Sequence, residues 1–192
     1  MKEVTKKQKK ILDWLEMCFY GKYTVEFTAD DEIIIFGNVR FVDYEATELK
    51  YPFSVVHGDF NIGGDIFAGE GMVPYRSLTT LKNCPKIVDG SFYCCGNPHL
   101  TSLVGGPEKV GNIYRCNHCD LENLNGIAKE IGSWITAFGN RRLRDISALT
   151  GVEIHKTCDF EFASPELTND PLYQKLLHQD KIINPVSIYN KE

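Results

Sequence analysis

Val88-Asp89-Gly90-Ser91-Phe92-Tyr93-Cys94 decides the fold, because the chain writes it again and again. It recurs as Val110-Gly111-Asn112-Ile113-Tyr114-Arg115-Cys116 and as Ile131-Gly132-Ser133-Trp134-Ile135-Thr136-Ala137. Upstream stand Val56-His57-Gly58-Asp59-Phe60-Asn61-Ile62 and Ile35-Phe36-Gly37-Asn38-Val39-Arg40-Phe41. Start-to-start spacings are 21, 32, 22 and 21 residues, and a worn sixth copy is expected from Val152. A fixed period in this range is the mark of a solenoid.

Alternate positions form columns. The first runs Ile35, Val56, Val88, Val110, Ile131, Val152. The second is small (Gly37, Gly58, Gly90, Asn112, Ser133) and ends in Ile154. The third is Val39, Phe60, Phe92, Tyr114, Ile135, breaking at Lys156; the fourth is Phe41, Ile62, Cys94, Cys116, Ala137, Cys158. Period-two alternation predicts a strand with these residues on one face, and stacking at a fixed period predicts a parallel sheet. After each strand a second apolar pair follows: Leu78/Leu81, Leu100/Leu103, Leu121/Leu124 and Leu143/Ile146. Asn97, Cys119 and Asn140 stand where the strand bends away, a position suited to satisfying backbone groups of neighbouring coils. Each coil buries roughly five apolar side chains at about 1.5–3 kcal/mol apiece, too little to order itself, so coils must stack.

The expected fold is therefore an α+β repeat: a short leucine-rich-repeat-like solenoid with a parallel sheet of five to six coils. Residues 1–192 read as one domain. Residues 1–32 form an N-terminal helix and hairpin cap, residues 33–158 the repeats with an insertion near 63–75, and residues 159–192 a C-terminal helical cap and tail. Ile11, Leu12, Leu15, Cys18 and Phe19 fall at helical spacing over 6–20, with Gly21 as the stop. Strands are expected over 23–28 and 33–42, around Ala29-Asp30-Asp31-Glu32. Asp170-Pro171 opens a helix over 172–178, which Asn184-Pro185 terminates.

The run Leu49-x-x-Pro52-Phe53-x-x-Val56-x-Gly58-Asp59-Phe60, with Leu100-Thr101-Ser102-Leu103-x-Gly105-x-Pro107-x-x-Val110-Gly111, resembles leucine-rich-repeat-like proteins of large tailed bacteriophages. Tyr23-Thr24-Val25, Asp30-Asp31 and Ile33-Ile34-Ile35 are similar to that family's opening hairpin, and the likeness covers about residues 23–150. It implies a phage or prophage origin and the cytoplasm of a bacterial host, without implying an activity. The chain departs from the pattern between Gly63 and Tyr75, where one period lengthens to 32 residues. It departs again after Gly126, where Ile127-Ala128-Lys129-Glu130 replaces the Gly-x-Pro connector.

Composition narrows the function. The chain has 192 residues, 43% hydrophobic and 24% charged, as a soluble globular protein has. A net charge of -5 argues against wholesale nucleic-acid binding. No apolar run approaches the ~20 residues that span a bilayer, and the basic start lacks a secretory h-region. The seven cysteines read as reduced cytosolic thiols. Cys116-Asn117-His118-Cys119 with Cys95 one coil away offers a metal alternative, but Cys94 and Cys116 belong to the inward fourth column and Cys119 takes an Asn position. No cofactor is expected. No P-loop, dinucleotide fingerprint or nucleophile–histidine spacing occurs, so no catalytic residue is assigned.

Three surfaces stand out instead. Alternation turns Asp59, Asn61, Ser91, Tyr93, Ile113, Arg115, Trp134, Thr136, His155, Thr157 and then Phe138 outward. Of these, Tyr93, Ile113, Arg115, Trp134 and Phe138 have the aromatic-plus-Arg composition of interface hot spots, and they are the expected partner-binding residues. Two outcomes stay open: a free binding face, or a face covered by the N-terminal helix or C-terminal tail. The insertion carries Ile66, Phe67, Met72 and Val73 between glycines, and the first three are candidate loop contacts. Arg141, Arg142 and Arg144 in one turn, with five Lys among the first ten residues, form a candidate anion grip. The expected function is a non-catalytic protein–protein interaction module that binds a host bacterial protein, such as a defence component. The alternative is a nucleic-acid or nucleotide binder using the Arg and Lys clusters; an enzyme with a cryptic site ranks below both.

Overall fold

A computed structural model describes residues 4–43, 45–64 and 76–184. The chain opens with helix α1 (Lys6–Cys18), started by a capping box in which the Thr5 hydroxyl accepts from Gln8 N–H and the Gln8 side chain accepts from Thr5 N–H. Strand β1 (Phe19–Phe27) follows without a break and pairs antiparallel with β2 (Ile33–Phe41) over nine residues in unbroken register. Gly21 therefore lies inside a strand and stops no helix. Its φ is +149°, and a Cβ there would meet the Asn38 carbonyl oxygen at 2.2 Å, so β1 and β2 approach closely only because Gly21 has no side chain.

From β2 onward the strands come in pairs, one pair per repeat. They are β3 (Phe53–His57) and β4 (Phe60–Asn61), β5 (Ile87–Val88) and β6 (Phe92–Tyr93), then β7 (Lys109–Val110) and β8 (Tyr114–Arg115). Next come β9 (Glu130–Ile131) and β10 (Ile135–Thr136), then β11 (Glu153–Ile154) and β12 (Cys158–Asp159). A 3-10 turn (Pro165–Asn169), helix α2 (Pro171–His178) and β13 (Ile182–Asn184) close the described chain. The sheet order is β11-β9-β7-β5-β3-β2-β4-β6-β8-β10-β12-β13, parallel throughout, with β1 beside β2 as the antiparallel exception.

The expected seven-residue strand is thus two short strands with a bend between them. The first column makes one ladder (Ile35, Val56, Val88, Val110, Ile131) and the third makes another (Val39, Phe60, Phe92, Tyr114, Ile135), and only β2 is long enough to run through both. The small second column lies at the bend rather than on a continuous inner face: Ser133 is buried there, whereas Asn112 is exposed. Main-chain bonds carry the stack across it, from Gly90 N–H to Gly58 O, Asn112 N–H to Gly90 O and Ser133 N–H to Asn112 O, each 3.0 Å.

The sixth copy is in a different register from the one the spacing suggests. Ile154, not Val152, pairs with Ile131, and Cys158 pairs with Ile135. Ala137 N–H donates to Asp159 O, which sets Phe160 level with Ala137. Both Cys158 and Phe160 are fully buried, so the copy that looked worn fills the third and fourth columns after a two-residue shift.

The inner face is as the columns require. Apart from the bend, the column residues of the first five copies are buried, as are the pairs Leu78/Leu81, Leu100/Leu103, Leu121/Leu124 and Leu143/Ile146. One apolar cluster runs from Ile11 to Ile182. At its N-terminal end Trp14 of α1 packs edge-on against Phe19 and Tyr51 (centroids 5.4 and 5.3 Å), with Phe41 and Phe53 alongside. At its C-terminal end Leu167, Tyr173 and Ile182 lie over Phe160's side of the core. Asp170 caps α2 through Leu172 and Tyr173 N–H, and its second oxygen accepts from Ile146 N–H (3.0 Å), tying the helix to the fifth repeat. Helix α2 ends at His178, ahead of Asn184-Pro185, and β13 then adds a parallel strand beside β12.

Candidate functional site

The predicted outward residues fall in rows along the two ladders. Tyr93, Arg115 and Thr136 stand side by side in β6, β8 and β10, between Asn61 of β4 and Asp159 of β12. Ser91, Ile113, Trp134 and Thr157 form the row before, each carbonyl accepting from the strand of the preceding repeat. Cys95, Asn117 and Phe138 form the row after. Tyr93, Ile113, Arg115, Trp134 and Phe138 therefore come together on three successive repeats. Their exposure is uneven: Trp134 is 40% exposed, Tyr93, Ile113, Arg115 and Phe138 are half-buried, and Ser91 and Thr136 are buried. The last two correct the expectation of solvated positions, since close repeats leave small side chains little solvent.

The Arg115 guanidinium lies over the Tyr93 ring at 5.5 Å and Lys156 Nζ over the Trp134 ring at 5.3 Å. Four polar atoms on this face are buried without a hydrogen-bond partner among the described residues: Arg115 Nε, Asn117 Nδ2, Asn117 Oδ1 and Thr136 Oγ1. Leaving such groups unpaired costs about 1–3 kcal/mol each. Asn117 and Thr136 were the sequence's blind spot, because nothing in their spacing reveals that their neighbours offer no bond.

The first ladder's outer face contrasts with this. Lys109 bonds Glu130 at 2.6 Å, which raises the Lys109 pKa, Lys86 reaches Glu108 at 3.7 Å, and His155 meets Glu153 at 3.5 Å. His57 Nδ1 meets Asp89 Oδ2 at 2.6 Å, and Phe36 stacks on the imidazole at 4.6 Å. His57 and Asp89 occupy one position in consecutive repeats, which a 32-residue offset conceals until the long period is recognised. Among the described residues no hydroxyl or thiol bonds this histidine.

Helix α1 buries Trp14 and Leu15 in the core beneath the first repeats and lies away from the Trp134 face. The candidate loop contacts Ile66, Phe67 and Met72, and the tail after Asn184, lie outside the described residues. In the arginine turn, Arg142 is paired with Asp120 (2.8 Å) and Glu122, and Arg144 with Glu122 (3.0 Å) and Glu166 (3.9 Å). Only Arg141 of the three has no carboxylate partner among the described residues.

Cys94 and Cys116 sit in the inward fourth column as expected, whereas Cys158 takes the third column, level with Ile135. None of the seven forms a disulfide, and all are buried. Burial holds the Cys94 and Cys116 thiols well above their ordinary pKa and Cys158 at about 12, so these thiols are protonated at neutral pH. His118 is held below the usual histidine range by burial and by Arg141. Among the described residues no three His, Cys, Asp or Glu side chains gather as a metal-holding group, Cys95, Cys116, His118 and Cys119 included. Asn140 Nδ2 donates to Cys116 O and Ala137 O (2.9 and 2.8 Å) while its Oδ1 accepts from Leu121 N–H. Asn97 does the same with Ile62 O, Cys94 O and Leu78 N–H. Among the described residues Cys119 makes only weak S–H bonds, to Cys94 O (3.3 Å) and Asn117 O (3.6 Å). Cys119→Asn should therefore stabilise the chain by about 1 kcal/mol, read as a rise of a few degrees in melting temperature. A fall would mean the site is shaped for a thiol.

No protein-family model, curated protein or solved structure matches the chain. No helix among the described residues is long and apolar enough to cross a membrane.

Proposed function

We propose that the chain is a leucine-rich-repeat-like solenoid of five to six coils, capped by α1 with the β1–β2 hairpin and by α2, and that it works as a non-catalytic protein-binding module. The working surface is the outer face of β6, β8 and β10, centred on Tyr93, Arg115 and Trp134. The observation that carries this reading is the difference between the two ladders. One outer face pairs its charges with one another; the other keeps a half-exposed tryptophan beside Lys156 and a guanidinium on a half-buried tyrosine. Groups of that kind gain most when a partner supplies acceptors and excludes water. On the phage resemblance, the partner is a protein of the bacterial host and the setting its cytoplasm.

The nucleic-acid alternative draws on the arginine turn, and there Asp120, Glu122 and Glu166 already occupy Arg142 and Arg144. Binding of that kind would also fall steeply with salt.

Capture from host lysate tests the protein-binding reading. A partner held by the wild type should bind the Trp134→Ala variant at least about thirtyfold more weakly, the loss of a hot-spot residue. The melting temperature should change little, because Trp134 is partly in solvent. Equal loss of binding and stability would make Trp134 a packing residue and remove the basis of the proposal.

A further inference from the structure

Strand β1 is the antiparallel edge of the sheet, and its outer side has no strand beside it among the described residues. An open edge of nine residues is a template for pairing, and proteins normally blunt it with proline, bulges, short length or charged side chains, of which β1 carries Lys22 and Glu26. Here there is no proline, and the register against β2 is uninterrupted. The direction of the free groups follows from one bond. Val42 N–H donates to Cys18 O (2.7 Å), so in this register even-numbered residues of β1 bond β2 and odd-numbered ones point their N–H and C=O outward. Phe19 N–H agrees, since it turns back to Leu15 O instead of β2.

We infer that β1 pairs with β1 of a second copy of this chain, antiparallel about a twofold axis at Thr24. In that register the outward-pointing groups of Tyr23 meet those of Val25 in the other copy, and those of Gly21 meet those of Phe27. Lys22 then stands directly opposite Glu26 of the other copy at a non-hydrogen-bonded position, where side chains are closest, and symmetry forms the pair twice. Lys22, Thr24 and Glu26 are all exposed, so these charges are available. Sliding by two residues destroys the match, placing Lys22 opposite Thr24 one way and opposite Thr28 the other. The strand is thus complementary to itself in one register.

The other face adds a groove of mixed character. It lies between α1 and β1, has a volume of about 450 Å³, and is lined by Leu12, Glu16, Tyr20, Tyr23 and Val25 over the buried Leu15 and Phe19. Tyr23 faces the helix, its hydroxyl donating to Leu15 O at 3.4 Å. Opposed residues of an antiparallel pair share a face, so Val25 and Phe27 of the second copy arrive on this side. A C2 contact of this kind buries the same residues in both copies and closes on itself.

Sedimentation of the full chain over a range of concentrations tests the inference. The wild type should show a reversible monomer–dimer equilibrium. Lys22→Glu or Glu26→Lys alone should raise the dissociation constant about tenfold or more, because each replaces two attractive pairs with two repulsive ones. The double variant Lys22→Glu/Glu26→Lys should restore it to within about threefold, since the swapped charges pair again. Val25→Pro should abolish the dimer without touching β1–β2 bonds, its N–H being one of the outward ones. A chain that stays monomeric up to about millimolar concentration would overturn the inference and leave the edge to a different strand, as would a dimer indifferent to single charge reversal. The Trp134 face takes no part, so partner capture and dimerisation succeed or fail separately.

Discussion

Asn140→Ala is expected to destabilise the chain by about 3–5 kcal/mol, lowering the melting temperature by about 10 °C or more. One amide joins three parts of the stack: its donors reach Cys116 O of the preceding repeat and Ala137 O of its own, and its acceptor takes Leu121 N–H. The side chain is fully buried, so the groups it leaves behind are cut off from bulk solvent. Truncation leaves two carbonyls and one N–H unpaired, each costing about 1–3 kcal/mol. Asn125 is exposed at a turn, and Asn125→Ala should stay within about 0.5 kcal/mol of wild type. Thermal or urea unfolding of the two variants checks the difference. A small effect at Asn140 would mean that apolar stacking alone sets the coil spacing.

The second large effect is expected at Gly132. A Cβ built there lies 2.0 Å from the Gly111 carbonyl oxygen, which belongs to the backbone of the neighbouring repeat and has no room to retreat. Gly132→Ala must therefore push two repeats apart, straining the bonds from Gly132 N–H to Val110 O and from Ser133 N–H to Asn112 O. A loss of about 3 kcal/mol follows, at the upper end for overpacking. Gly151 gives the instructive comparison. Its φ is +79°, where glycine is favoured, yet a Cβ there meets nothing within 4 Å. Gly151→Ala should cost only about 1 kcal/mol. If Gly151 proves the more sensitive, backbone conformation rather than coil spacing governs the glycines.

Much of this architecture is legible in the residue order, and the misses have physical causes. Columns of Val, Ile, Phe and Leu reveal the inner face because burial tolerates few alternatives. The bend is hidden because glycine, Asn112 and Ser133 fit an alternating pattern as well as they fit a corner. The sixth copy misleads because Val152 lies one period after Ile131 while Ile154 makes the actual pairing. Strand β13 is too short, at Ile182–Asn184, to display any alternation. On the candidate site, Tyr93, Arg115 and Trp134 follow from alternation alone. The unpartnered atoms of Asn117 and Thr136 do not, because they depend on what adjacent repeats fail to offer. The pairing of the arginine turn was within reach: Arg142 with Asp120 and Arg144 with Glu122 are each 22 residues apart, one repeat, so the same period orders the charges as well as the core.

Photocrosslinking tests the assigned face most directly. A benzophenone side chain placed at position 156, where the exposed Lys156 lies beside the Trp134 ring, would be compared with one at Val104, which is 63% exposed in the connector ahead of β7. With the partner captured from host lysate, crosslinks should form from position 156 and not from 104. Crosslinks from 104 alone, or from both equally, would contradict a binding face on the second ladder.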